Sequence, residues 1–70
     1  MEHAQPPGDI IRRRLSTQGS ASISELAIIA NTSEEMAESI VRDLEYAGKV
    51  IYYKDLQTGG APYAEWVDGY

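Results

Sequence analysis

The 70-residue chain contains no cysteine and no phenylalanine, and has one tryptophan and one histidine. Without cysteine there is no disulfide scaffold, no thiolate metal knot, no iron–sulfur ligation and no thiol nucleophile. The lone histidine, His3, precedes Pro6-Pro7-Gly8, so no His/Ser/Asp or Cys/His constellation can form on ordered structure. Positive charge is scarce as well: six Lys and Arg stand against eleven Asp and Glu, a net charge of −5. That sign is wrong for a protein that finds nucleic acid by nonspecific attraction, and it disfavours an anionic membrane surface. Long apolar runs are also missing; nothing approaches the roughly 18 residues of a membrane span. Met1 to Gln5 has neither the cationic start nor the apolar middle of a signal peptide. A cytoplasmic protein with no membrane contact and no cofactor is the expectation. The carboxylates are spread along helix faces rather than gathered in a cleft, so we expect no enzyme and no metal site.

What the chain does have is enough for one small core. Hydrophobic residues make up 43 % of it, and a chain of this size buries only about 60 % of its unfolded surface, so its stability is marginal. Residues 1–8 read as a disordered N-terminal arm, because its prolines withhold backbone donors. The domain is expected over 9–67, followed by a tail over 68–70. Asp9 can cap a first helix running to Gln18, with Ile10, Ile11 and Leu15 near one face and Gly19 as a left-handed stop. Ser20 to Ile23 allows at most a brief strand. Ser24 then reads as the cap of a short apolar helix, Glu25 to Ala30, with Asn31 as the turn residue.

Thr32-Ser33-Glu34-Glu35 fits a capping box, in which the Thr32 hydroxyl accepts from the Glu35 amide and the Glu35 carboxylate returns to the Thr32 amide. A third helix from Ser33 to Ala47 follows, with Met36, Ile40, Leu44 and Ala47 as its core stripe and Gly48 as its left-handed cap. Val50-Ile51-Tyr52-Tyr53 and Tyr63-Ala64-Glu65-Trp66-Val67 read as two strands around a Gly-rich loop, which together make a hairpin. Neighbours on a strand point to opposite faces, so Tyr52 and Tyr53 cannot both be buried. One of them is expected to cover the core with Trp66.

The order helix, short strand, helix, turn, longer helix, hairpin resembles the winged helix-turn-helix. The phrase SISELAIIANTSEEMAESIVRDLEYAGKV, Ser22 to Val50, carries the resemblance. It implies an α+β fold of three helices followed by a two-stranded β-hairpin wing, with room for a short extra strand between helices one and two. Among small bacterial winged helices the chain is similar to the FeoC-like group associated with ferrous iron transport, on NTSEEMAESIVRDLEYAGKV and Glu65-Trp66. It lacks the wing cysteines common there, which removes the basis for a metal role. It is similar also to PapI-like or FaeA-like fimbrial regulators, a likeness that implies action alongside a DNA-bound partner protein. Gly60-Ala61-Pro62-Tyr63 with Trp66 further resembles the wing of Z-form nucleic-acid binding domains, although the third helix here is acidic where those domains are basic.

Three surfaces are candidates for function. The positive residues Arg12, Arg13, Arg14, Arg42, Lys49 and Lys54 could meet phosphate or an acidic partner. Three successive arginines on a helix fan over about 200°, however, and one of them should lay its stem along the core edge. Tyr53, Gly59, Gly60 and Tyr63 form the candidate wing surface, since exposed rings beside glycines suit protein docking. Glu34, Glu35, Glu38 and Glu45 give the third helix an acidic outer face, with Glu38 placed four residues before Arg42 in the favourable order for an ion pair.

A reader of base edges brings Arg, Lys, Asn or Gln to the groove, not four carboxylates. The reading that follows is a small winged-helix transcriptional regulatory protein acting mainly through a partner protein, itself on DNA, with weak direct DNA contact. Two alternatives stand beside it. One is a non-DNA adaptor or inhibitor that docks its acidic helix, including a FeoC-like accessory role in iron transport. The other is a conventional repressor that pairs two weak readers as a homodimer.

Overall fold

The computed structural model describes residues 6–54 and 60–67. The element order is α1 (Pro7–Gln18), β1 (Ser20–Ser22), α2 (Ile23–Ile29), α3 (Glu34–Tyr46), β2 (Val50–Tyr53) and β3 (Tyr63–Trp66). The brief strand expected after the first helix is present, and it completes a three-stranded antiparallel sheet in the order β1-β3-β2. Ala21 lies opposite Ala64 on one side of β3, and Tyr52 lies opposite Ala64 on the other. The ladder continues past the strand ends, where the Trp66 amide donates to the Gly19 carbonyl at 2.7 Å and the Val67 amide to the Lys49 carbonyl at 2.9 Å.

Helix starts differ from the sequence reading, each for a local reason. α1 begins two residues early, with Pro6 in the N-cap position and Pro7 inside the first turn. Proline is favoured there because its missing donor would be unpaired anyway and its φ is already helical. Pro7 and Gly8 therefore belong to the helix rather than to an arm, and Asp9 sits in the first turn instead of capping it. α2 is capped by Ser22, whose hydroxyl accepts from the Glu25 amide at 3.1 Å. Starting there buries Ile23 in the first turn. Ser24 instead donates to Glu34 of α3 at 3.2 Å.

α3 is capped by Ser33, which accepts from the Met36 amide at 3.1 Å. Thr32 cannot complete the expected capping box, because its amide already donates to the Ala27 carbonyl at 2.9 Å. The buried stripe of α3 is correspondingly turned by one residue: Ala37 and Val41 are fully buried, while Met36 is 49 % exposed. Ile40 and Leu44 flank the core as expected, and Ala47 is exposed. The small Ala37 lets α3 approach its neighbours closely, in the place where helical spacing alone puts Met36.

The core gathers Ile11 and Leu15 of α1, Ile23, Leu26 and Ala27 of α2, Ala37 and Val41 of α3, and Val50 and Ala64 of the sheet. Tyr52 and Trp66 pack against it while Tyr53 faces out, as strand alternation requires. Gly19 and Gly48 adopt positive φ at the ends of α1 and α3, and Asn31 does the same in the turn between α2 and α3.

Candidate partner and nucleic-acid interfaces

α2, the turn and α3 form the helix-turn-helix, and the sheet places the wing beside it. The outer face of α3 carries most of the helix's charged side chains. Its N-terminal turn carries Glu34 and Glu35, both exposed. Glu38 is not simply solvated: it is half-buried, and its carboxylate accepts from the Tyr52 hydroxyl at 2.8 Å. Arg42 lies 4.0 Å from Glu38 and 4.0 Å from Glu45. Its guanidinium carbon also sits 5.7 Å from the centroid of the Tyr52 ring, within reach of a cation–π contact. The cation of α3 therefore lies beside two carboxylates and an aromatic face, with its side chain 61 % exposed. The i, i+4 pair with Glu38 was legible from spacing; the part played by Tyr52 was not, since it joins residues 14 apart on different elements.

The positive residues lie on several elements. Arg12 and Arg13 are exposed on α1, and neither makes an ion pair among the described residues. Arg14 is half-buried, as expected of one residue in the triplet, and its guanidinium pairs with Glu25 of α2. Lys49 is half-buried at the entry to β2, and Lys54 is exposed just beyond its end.

On the outer face of the sheet the rings of Tyr53 and Tyr63 stack with centroids 4.8 Å apart and planes 15° from parallel. They stand directly opposite in the β2–β3 register. The Tyr53 hydroxyl donates to Glu65 at 3.3 Å. Desolvation, aided by the Glu65 charge, raises the Tyr53 phenol above its ordinary value. Tyr53, Tyr63, Lys54, Gly60 and Ala61 line one shallow hollow of about 350 Å³, so three of the four expected wing residues are brought together. Gly59 lies outside the described residues.

A second hollow was not foreseen. It runs between α1 and α2, measures about 380 Å³ and is lined by Ile10, Arg13, Arg14, Thr17, Gln18 and Ile29. The signal for it is the i, i+3, i+4, i+7 spacing of Ile10, Arg13, Arg14 and Thr17 along one ridge of α1, which is visible once the helix phase is known.

Among the described residues no group of three or more His, Cys, Asp or Glu is arranged to hold a metal ion, and no helix is long and apolar enough to cross a membrane.

No protein-family model matches the chain, and no curated protein matches it by sequence. Its structure, in contrast, is similar to solved ones. The heme sensor protein PefR from Streptococcus agalactiae, determined in complex with heme, superposes with a TM-score of 0.71 at 19 % identity, covering 96 % of this chain and 47 % of that one. The adhesin competence repressor AdcR from Streptococcus pyogenes gives a TM-score of 0.66 at 19 % identity, covering 91 % of this chain and 46 % of that one. The chain thus spans about half the length of each. At this level of identity the likeness defines the fold: a winged helix-turn-helix of three helices and a small antiparallel sheet.

Proposed function

We propose that the protein is a small winged-helix transcriptional regulatory protein that acts mainly through contact with a partner protein on DNA, with weak direct DNA contact of its own. The observation that carries this reading is the state of Arg42, the cation of α3, which is shared between Glu38, Glu45 and the Tyr52 ring. Freeing it for a phosphate or a guanine edge means giving up those contacts, and the incoming phosphate would then meet Glu34, Glu35, Glu38 and Glu45. Each of these carboxylates opposes the counterion-release gain that drives most DNA binding. The fold shared with two regulators, one of them named a repressor and one a heme sensor, supports a regulatory role.

In this reading the Glu34, Glu35, Glu38 and Glu45 face and the Tyr53, Gly60 and Tyr63 wing surface engage the partner, while the exposed Arg12 supplies what phosphate contact there is. The acidic face favours a second reading, an adaptor that docks on a basic protein surface with no DNA involved at all.

One paired experiment separates these. DNA crosslinked to the protein in its source cells is sequenced, and the enriched segments are then titrated with purified protein at physiological salt. Enriched segments that the purified protein binds only weakly, in the ~10⁻⁴ to 10⁻⁶ M range of nonspecific contact, are the expected result. Tight binding by the purified protein would make it a direct reader and overturn the proposal. A failure to enrich any segment would select the adaptor.

A further inference from the structure

We infer that the groove between α1 and α2 is a docking site for an amphipathic helix of a partner protein, one whose apolar stripe is flanked by carboxylates. The inference concerns a different surface from α3 and does not depend on whether α3 meets DNA.

Shape selects a helix over a small molecule. One wall is the ridge Ile10, Arg13, Arg14 and Thr17 on α1, and the other is formed around Ile29 of α2. Ile10 and Ile29 are half-buried and pack against the core, so the apolar floor is fixed in place. From Ile10 to Thr17 the ridge rises about 10 Å, or two helical turns, which matches two anchor side chains spaced i, i+3 or i, i+4 on an incoming helix. Small-molecule sites enclose about 70–90 % of their ligand, and a furrow between two surface helices leaves far more of it wet.

Charge selects carboxylates on that helix. Arg13 is exposed at the rim with no ion pair among the described residues. Arg14 is paired with Glu25 of α2, while its Nε is buried without a hydrogen-bond partner. The Arg14–Glu25 pair adds no net charge to the rim, so Arg13 is the cation there that a ligand can engage, on a chain of net charge −5. A carboxylate beside the apolar stripe would pair with Arg13 through charge-assisted hydrogen bonds. Thr17 and Gln18 offer neutral polar contacts at the far end of the same ridge.

The test uses the intact protein and a display library of amphipathic helices of about 16 residues, some 24 Å long. Apolar residues are fixed at i, i+3 or i+4, and i+7, and Glu, Gln or Lys is allowed on either side. Enriched peptides are titrated into isotope-labelled protein and followed by amide chemical shifts. Glu-flanked peptides should be enriched, and the shifts should concentrate at Ile10, Arg13, Thr17, Gln18 and Ile29. Arg13→Glu should weaken binding by about tenfold, the loss of a charge-assisted contact, and the Lys-flanked version of the same peptide should restore it. Arg13 is exposed, so the variant's own spectrum serves as the folding control. Enrichment of Gln- or Lys-flanked peptides, shifts centred on α3 or the sheet, indifference to Arg13→Glu, or no enriched peptide would each overturn the inference.

Discussion

The Tyr52 hydroxyl donates to the Glu38 carboxylate at 2.8 Å, joining the inner face of the wing sheet to the outer flank of α3. Both residues are half-buried, so the bond is partly shielded from water and fixes how the wing sits against α3. Tyr52→Phe keeps the ring over Arg42 and the packing against the core but removes this donor. The expected cost is about 1 kcal/mol, the usual net value of one hydrogen bond and somewhat below that of a fully shielded bond to a charge. Urea denaturation of the two proteins measures it, and an unchanged midpoint would show that water replaces the hydroxyl without loss.

The same tyrosine makes stability depend on alkaline pH. Desolvation raises the Tyr52 phenol above its ordinary value of 10.0, helped by its hydrogen bond to Glu38 and by the negative charges of Glu38 and Glu45, against a lowering by Arg42. The folded state therefore holds the proton more tightly than the unfolded chain does. The stabilisation is fully present below the unfolded value and is lost as pH rises through the higher folded one. Tyr53 is shifted in the same direction. Unfolding free energy should fall as pH climbs past about 10, and the fall should be shallower in Tyr52→Phe. Denaturation curves at a series of pH values from neutral to strongly alkaline test the slope, and equal slopes would remove Tyr52 from the account.

The fold was largely legible because its signals are local. The glycines at 19 and 48 and the asparagine at 31 marked three turns, all of which carry positive φ, and the β-branched and aromatic runs marked β2 and β3. Pro6 rather than Asp9 takes the N-cap of α1, three residues early, and the caps of α2 and α3 were read two and one residues off because serines and threonines compete there. Which one wins depends on the nonlocal fate of a neighbouring amide, as when Ala27 claims the Thr32 amide. At the candidate interfaces, the Glu38–Arg42 pair followed from i, i+4 spacing. The Tyr52 bridge joins separate elements, so no local pattern could announce it, and of the α1–α2 groove only the α1 ridge had a local signal.

The phase of α3 gives a sharp contrast between two positions of the same helix. Met36 is half-exposed while Val41 is fully buried. Met36→Lys should change stability by less than about 0.5 kcal/mol, as surface substitutions do. Val41→Ala removes buried methyl groups and leaves a cavity, for about 2 kcal/mol. For a domain of this size that second figure lowers the melting temperature by roughly 8–16 °C. Thermal melts of the two variants decide it: a severe loss from Met36→Lys would return the core stripe to the phase of Met36, Ile40 and Leu44.

Gly48 ends α3 with φ of 81°, its amide donating to the Glu45 carbonyl at 2.9 Å and the Lys49 amide to the Leu44 carbonyl at 2.9 Å. These two bonds are the Schellman pattern that satisfies the last carbonyls and turns the chain into β2. A Cβ added at Gly48 would meet nothing within 4 Å. Any penalty for a side chain there comes from the left-handed backbone alone, not from crowding. Gly48→Ala should therefore cost about 1 kcal/mol. Gly48→Asn should cost less, because asparagine tolerates this region, as Asn31 does at φ 53° in the same chain. Chemical denaturation of both variants checks the order, and an alanine variant as stable as the parent would mean that the turn relaxes to another conformation when the glycine is lost.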